Sequence, residues 1–210
     1  MNNNLFPIAK EGWNYIGYAV IAFFIFSVFD FGLLKFLSFV AILFLLFVYR
    51  NPEREMQVFQ NASVVSPADG TVISIEEIKD KKYAYKVEIE ANYLDVGVLR
   101  VPMNSSLQHL SVKHGARLST NEPLAKTLNE NAELIFEDEA SNRVKVVHLL
   151  KNSFDGININ VIEGQKVLQS SRYGVMINGV TTLYLPQNFR LNISVGNEVK
   201  ASQTLVGYFS

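Results

Sequence analysis

The sequence contains no cysteine, which excludes a disulfide, a thiolate nucleophile and a thiolate metal site and is compatible with a reducing compartment. Net charge is nearly absent as well. Nineteen basic and 20 acidic side chains leave a formal balance of -1 over 210 residues, giving no electrostatic reason to expect a nucleic-acid partner. Only three histidines occur, His109, His114 and His148, and no carboxylate stands beside them at ligand spacing, so no metal site is expected. Charge is also missing locally. Between Trp13 and Tyr49 only Asp30 and Lys35 are charged, and a helix apolar on every face is not an ordinary surface helix.

That block divides into two apolar runs, approximately 13–29 and 33–49, each about 17 residues long and near the lower limit for crossing a hydrocarbon core. A helical hairpin would put Asp30 and Lys35 near one interface and Lys10, Arg50 and Arg54 on the opposite side. The positive-inside tendency then leaves the rest of the chain in the cytoplasm. Trp13, Tyr15, Tyr18 and Tyr49 fall near the run ends, where aromatic belts lie. A cleaved signal peptide does not fit, because the start is not basic and the apolar stretch is too long. The alternative is a buried hairpin of a soluble protein. The expected domains are therefore a membrane anchor, 1–54, and a β domain, 60–210.

Beyond Pro52 the pattern changes to short apolar alternations punctuated by glycine: Thr71 to Ile75, Tyr85 to Ile89, Val96 to Val101, Val144 to Leu150, Ile157 to Ile162, Gly174 to Ile177, Thr181 to Leu185 and Arg190 to Val195. This spacing predicts a mostly β sandwich or barrel, with one short helix over Glu122 to Asn131. An internal repeat is present. Glu163-Gly164-Gln165-Lys166-Val167-Leu168-Gln169-Ser170 aligns with Val195-Gly196-Asn197-Glu198-Val199-Lys200-Ala201-Ser202, a glycine turn feeding a strand as in sandwich-hybrid barrels. No lysine stands in the Met-Lys-Met context of a carrier domain, so a swinging arm is not expected. Tyr173 to Pro186 reads as a strand pair around Asn178-Gly179, a dipeptide that favours a tight turn or a kink.

Four stretches then combine. Tyr49-Arg50-Asn51-Pro52-Glu53-Arg54, Ser66-Pro67-Ala68-Asp69-Gly70-Thr71-Val72, the segment from Met103 to Gly115 with His109, and Tyr173 to Pro186 resemble, in order and spacing, the short bacterial-type phosphatidylserine decarboxylase family. Lys10-Glu11-Gly12-Trp13 and Leu128-Asn129-Glu130-Asn131-Ala132 add weaker matches. The resemblance implies a bacterial inner-membrane protein of phosphatidylethanolamine metabolism, with a membrane phospholipid as partner. Oligomeric state stays open, a homo-oligomer or association with another membrane enzyme included. It also implies that Asp69 orients His109, and that this histidine activates a serine which becomes a pyruvoyl cofactor.

The sequence departs from the family at that serine. Gly179 matches the family glycine, but Val180 follows it, and valine has no nucleophilic atom on Cβ. A pyruvoyl group needs a hydroxyl that attacks the preceding carbonyl, forms an ester and leaves by β-elimination. No cofactor is therefore expected at Val180. The alternative is a displaced hydroxyl, Thr181, Thr182 or Ser171, with the threonines giving a bulkier ketoacyl group. Ser111 stands where the family has asparagine, and the following arginine is absent. His114 and His148 have no motif context and are expected to be surface or strand histidines.

Overall fold

The computed structural model describes residues 6–54, 59, 62–80, 82–119 and 122–210. Two compact units divide the chain, Met1–Glu53 and Arg54–Ser210.

In the first unit a 3-10 turn, Lys10–Gly12, leads into α1 (Trp13–Val28), and α2 (Gly32–Val48) follows. The two helices contact each other. No residue of α1 is buried, and Phe24, Val28 and Phe36 are among many exposed large apolar side chains. Asp30, between the helices, takes a positive φ of 53°, a conformation that aspartate tolerates better than most residues. The helix counted from Lys10 to Val28 is long and apolar enough to cross a membrane, whereas α2 is shorter. The start of the unit closes on its end. Ala9 N–H donates to Tyr49 O (2.8 Å), Asn51 N–H donates to Pro7 O (2.7 Å), and Tyr15 stacks on Tyr49 at 5.8 Å. Gly12 lies flat against the Tyr49 ring, leaving no room there for a Cβ.

The second unit is built from antiparallel strands: β1 (Ser63–Val65), β2 (Gly70–Glu77), β3 (Tyr85–Ala91), β4 (Val98–Arg100), β5 (Ser105–Lys113), β6 (Asn131–Glu137), β7 (Arg143–Leu150), β8 (Asn158–Ile159), β9 (Lys166–Val167), β10 (Arg172–Val175), β11 (Gly179–Leu185), β12 (Phe189–Leu191), β13 (Glu198–Val199) and β14 (Leu205–Phe209). They form one eight-stranded sheet in the order β13-β2-β3-β11-β7-β6-β5-β9, and two three-stranded sheets, β1-β14-β12 and β4-β10-β8. Alternation puts Val87, Ile89, Leu134, Phe136, Val144, Val146, Leu183 and Leu185 in the core and sends their neighbours outward.

Two expectations need correction, and one pair of alternatives is decided. The helix expected over Glu122 to Asn131 is a single turn, α3 (Ala125–Leu128), because Asn131 already opens β6. β1, β5 and β6 were not expected as strands. Tyr173 to Pro186 does hold two strands, and of the tight turn and the kink expected between them the chain takes the kink. β10 pairs with β4 and β8, β11 pairs with β3 and β7, and Asn178-Gly179 kinks the chain from one sheet into another without positive φ. Gly179 is needed for space instead, since a Cβ there would lie 2.6 Å from Leu149 O and 2.6 Å from Met176 Sδ. Gly179→Ala is accordingly expected to cost about 1–3 kcal/mol, read from thermal unfolding.

The internal repeat is real in the backbone. Gly164 and Gly196 have φ of 79° and 87°, and Ser170 and Ser202 have 68° and 71°.

Candidate functional site

Pro67 and Gly70 shape the turn that presents Asp69. Ser66 Oγ donates to Ala68 O (2.7 Å), and Gly70, at φ 144° and packed on the Glu90 backbone, starts β2. Asp69 is buried. Its carboxylate accepts both terminal nitrogens of Arg54 (2.5 Å each) and the Ala201 N–H (2.8 Å). Arg54 Nη1 also donates to Ala201 O at 2.7 Å, so the fork geometry of a guanidinium is fully used on this side. Arg100, opposite Arg172 in the β4–β10 register, is buried, with its pKa pushed down to about 10. Burial is the main cause, Arg172 and Arg54 add to it, and Asp69 opposes it.

His109 stands elsewhere in the hydrogen-bond network. It follows a bulge in β5, its ring is about half exposed, and Nδ1 lies 3.1 Å from Glu163 Oε1. Glu163 Oε1 also accepts the Leu110 N–H (2.6 Å). Among the described residues no hydrogen bond or ion pair joins Asp69 to His109. His114 is exposed, 3.5 Å from the buried Glu130 carboxylate, whose Oε1 accepts the Ile157 N–H at 2.9 Å.

β11 carries the other candidates on alternate faces. Val180 faces outward between Glu90 on β3 and Leu149 on β7, and Thr182 faces outward between Glu88 and Val147; both are nearly covered, at 8% exposure. Lys151 Nζ reaches across to Glu90 Oε1 at 2.5 Å, and its N–H donates to Asn178 O (3.1 Å). Thr181, one residue on, points into the core. Its Oγ1 lies 2.9 Å from His148 Nδ1, and His148 Nε2 lies 2.6 Å from the Tyr173 hydroxyl, with no solvent exposure at any of the three residues. Ser171 Oγ donates to Leu168 O at 2.5 Å.

The buried chain from Thr181 through His148 to Tyr173 is the constellation that sequence reasoning missed. It has the geometry of a nucleophile, a base and a group that orients the base. A signal did exist, since His148 occupies the inward parity of β7, in line with Val144, Val146 and Leu150. Burial drives the imidazole pKa down to about 3 and raises the Tyr173 phenol well above its ordinary value. A neutral imidazole donates through one nitrogen and accepts through the other, so the chain is satisfied in either tautomer. Among the described residues no group of three or more His, Asp or Glu side chains could hold a metal ion.

Val180 has no hydroxyl, and the hydroxyl with a base beside it belongs to a threonine, whose elimination leaves a four-carbon ketoacyl group rather than pyruvoyl.

Residues 41–207 match the family model described as phosphatidylserine decarboxylase. The chain is similar over nearly its whole length to curated proteins named phosphatidylserine decarboxylase proenzyme. With the protein from Burkholderia mallei (strain SAVP1) it shares 29% identity over 204 residues, covering 95% of this chain and 94% of the relative. With those from Paraburkholderia phymatum and Desulfotalea psychrophila it shares 28% identity, covering 95% and 96% of each chain respectively.

Proposed function

We propose, from the premise that the chain belongs to the phosphatidylserine decarboxylase family, that it works on phospholipid headgroups at a bacterial inner membrane without forming a pyruvoyl cofactor. The family's pyruvoyl dependence makes the residue after Gly179 decisive, and Val180 carries the reading. It stands opposite Glu90 in the β11–β3 register, and its side chain offers no nucleophile. The apolar helices fit an anchor hairpin, with the β unit, read as sandwich-hybrid-like, on the cytoplasmic side. Such a chain keeps the family's fold and membrane attachment and binds headgroups or a partner enzyme instead of decarboxylating.

The Thr181–His148 contact favours a second reading, self-cleavage at a displaced hydroxyl. Thr181 Oγ would attack the Val180 carbonyl carbon while its proton passes by way of His148 to the departing amide nitrogen, exchanging the amide for an ester. Loss of the Thr181 Cα proton would expel the Val180 carboxylate, and water would convert the resulting imine to a 2-oxobutanoyl end and ammonia. The low basicity of His148 weighs against this route, because proton transfer is efficient when the base has a pKa near the working pH.

Intact-protein mass spectrometry in mild detergent, with and without a carbonyl-trapping amine, separates the two. A single unreactive chain of full-length mass is expected. Two fragments meeting at Val180–Thr181, the carboxyl-terminal one trapped by the amine, would establish the second reading and sink the first.

A further inference from the structure

The two copies of the turn-and-strand repeat dock on two stretches that are themselves equivalent. Gly196 N–H donates to Val72 O and Gly164 N–H to Leu107 O; Val72 N–H donates to Asn197 O and Leu107 N–H to Gln165 O. Ser202 N–H donates to Ser66 O, and Ser170 N–H to Val101 O. β13 pairs Glu198 with Thr71 and Val199 with Gly70, while β9 pairs Lys166 with Ser106 and Val167 with Ser105. Both receiving strands shift register at the same step, between Val72 and Ser74 and between Leu107 and His109. The β unit thus contains two equivalent half-sites. Pro67 corresponds to Pro102, Asp69 to Asn104, and Ala201 to Gln169.

The correspondence reaches the side chains. Asp69 Oδ1 accepts the Ala201 N–H at 2.8 Å, and Asn104 Oδ1 accepts the Gln169 N–H at 2.8 Å. In the first half-site a guanidinium is seated on these groups, with Arg54 Nη1 on Asp69 Oδ1 (2.5 Å) and on Ala201 O (2.7 Å). Beside Asn104 in the second lies a cavity of about 570 Å3, a size in the range of ligand pockets. Asn104 and the first two residues of β5, Ser105 and Ser106, line it on one side, and Glu137, Asp138 and Glu139 at the β6–β7 turn.

We propose that this second half-site binds an arginine side chain presented by a partner protein. The first half-site shows what such a seat does. A carboxamide or carboxylate oxygen, itself fixed by a backbone N–H, and the carbonyl of the same docked residue form a pair of acceptors for the N–H groups of one guanidinium nitrogen, Nη1 of Arg54. Asn104 Oδ1, which has a second lone pair, and the Gln169 carbonyl repeat that pair. Asn104 lacks the charge of Asp69, and the acidic turn supplies it. Glu137 is held by Arg143 (2.8 Å) and Asp138 by the Ala140 and Asn142 N–H groups (2.8 Å each), while Glu139 is exposed. Among the described residues lining the cavity Lys166 is the one that is basic, so the balance favours a cation. Arginine is the cation that the first half-site takes, with one guanidinium nitrogen of Arg54 donating to both acceptors of this pair. Arg54 itself arrives on an irregular segment, which points to an irregular partner segment rather than a helix.

The test is a titration of the full chain in detergent with N-acetyl-arginine N-methylamide, following the Asn104 side-chain amide and the Gln169 N–H by NMR. The citrulline analogue, which keeps the shape but not the charge, is the control. A saturable shift with the arginine probe, at least tenfold weaker with citrulline, is expected. Asn104→Asp, which copies the first half-site, is expected to tighten binding about tenfold while leaving the unfolding temperature in place. Paired Asp138→Asn and Glu139→Gln substitutions are expected to weaken it by a similar factor. No saturable shift, equal response to citrulline, or no gain from Asn104→Asp would overturn the proposal.

Discussion

Asp69→Ala is expected to destabilise the β unit by about 3–5 kcal/mol, because it strands a nearly buried guanidinium and an Ala201 N–H together. Both partners of the pair are shielded, with side-chain exposures of 8% and 9%, so water replaces little of what is lost. Asp69→Asn separates the two contributions. The amide oxygen can keep the Ala201 N–H bond, as Asn104 does with Gln169 in the equivalent position, while the paired charge disappears. A double-mutant cycle of Asp69→Asn with Arg54→Met, followed by denaturant unfolding, should show strong non-additivity. The cost of the double variant should fall well below the sum of the singles, since a missing charge no longer needs its partner. Additive costs would mean that Arg54 and Asp69 act independently. The same data bear on the role that the family resemblance gives Asp69, because a carboxylate committed to Arg54 and Ala201 is not hydrogen-bonded to His109.

How far the sequence carries depends on whether a signal is local. The apolar helices were legible because long uncharged runs suit neither a half-buried strand nor a helix with one face in water. The glycine repeat was legible because only special residues tolerate the backbone at Gly164 and Gly196. β5 was hidden by its bulge, which shifts the register between Leu107 and His109 and so breaks the period-two pattern that identifies a strand. β6 alternates well, but the helix reading of the segment before it absorbed its start. At Asn178-Gly179 the dipeptide allowed a tight turn or a kink, and only the topology, which puts the two strands in different sheets, selects the kink. The Arg54–Asp69 pair and the Thr181–His148–Tyr173 chain were beyond reach. Each joins residues from separate strands or a linker, and only topology brings them together.

His148→Leu should be costly at neutral pH and progressively less so in acid. At pH 7 it leaves the Thr181 and Tyr173 hydroxyls buried without their shared partner, at about 1–3 kcal/mol for each. The pH dependence comes from the imidazole. In the folded chain His148 stays neutral down to about pH 3, whereas in the unfolded chain it takes up a proton below its ordinary value of 6.5. Between those values the unfolded state binds the extra proton, so the contribution of His148 is fully present above pH 6.5 and is lost as the pH falls toward 3. The slope approaches about 1.4 kcal/mol per pH unit. Denaturant unfolding of the wild-type chain and His148→Leu at a series of pH values from 7 to 4 should therefore show their difference shrinking as the medium becomes more acidic. Carboxylate titration is common to both and cancels. Tyr173→Phe keeps the imidazole buried and should lower stability by a roughly pH-independent amount, following the wild-type slope. A constant gap between wild type and His148→Leu would mean that the imidazole is protonated, or hydrated, within the folded core. That result would remove the objection to His148 as a base for Thr181 and raise the standing of self-cleavage accordingly.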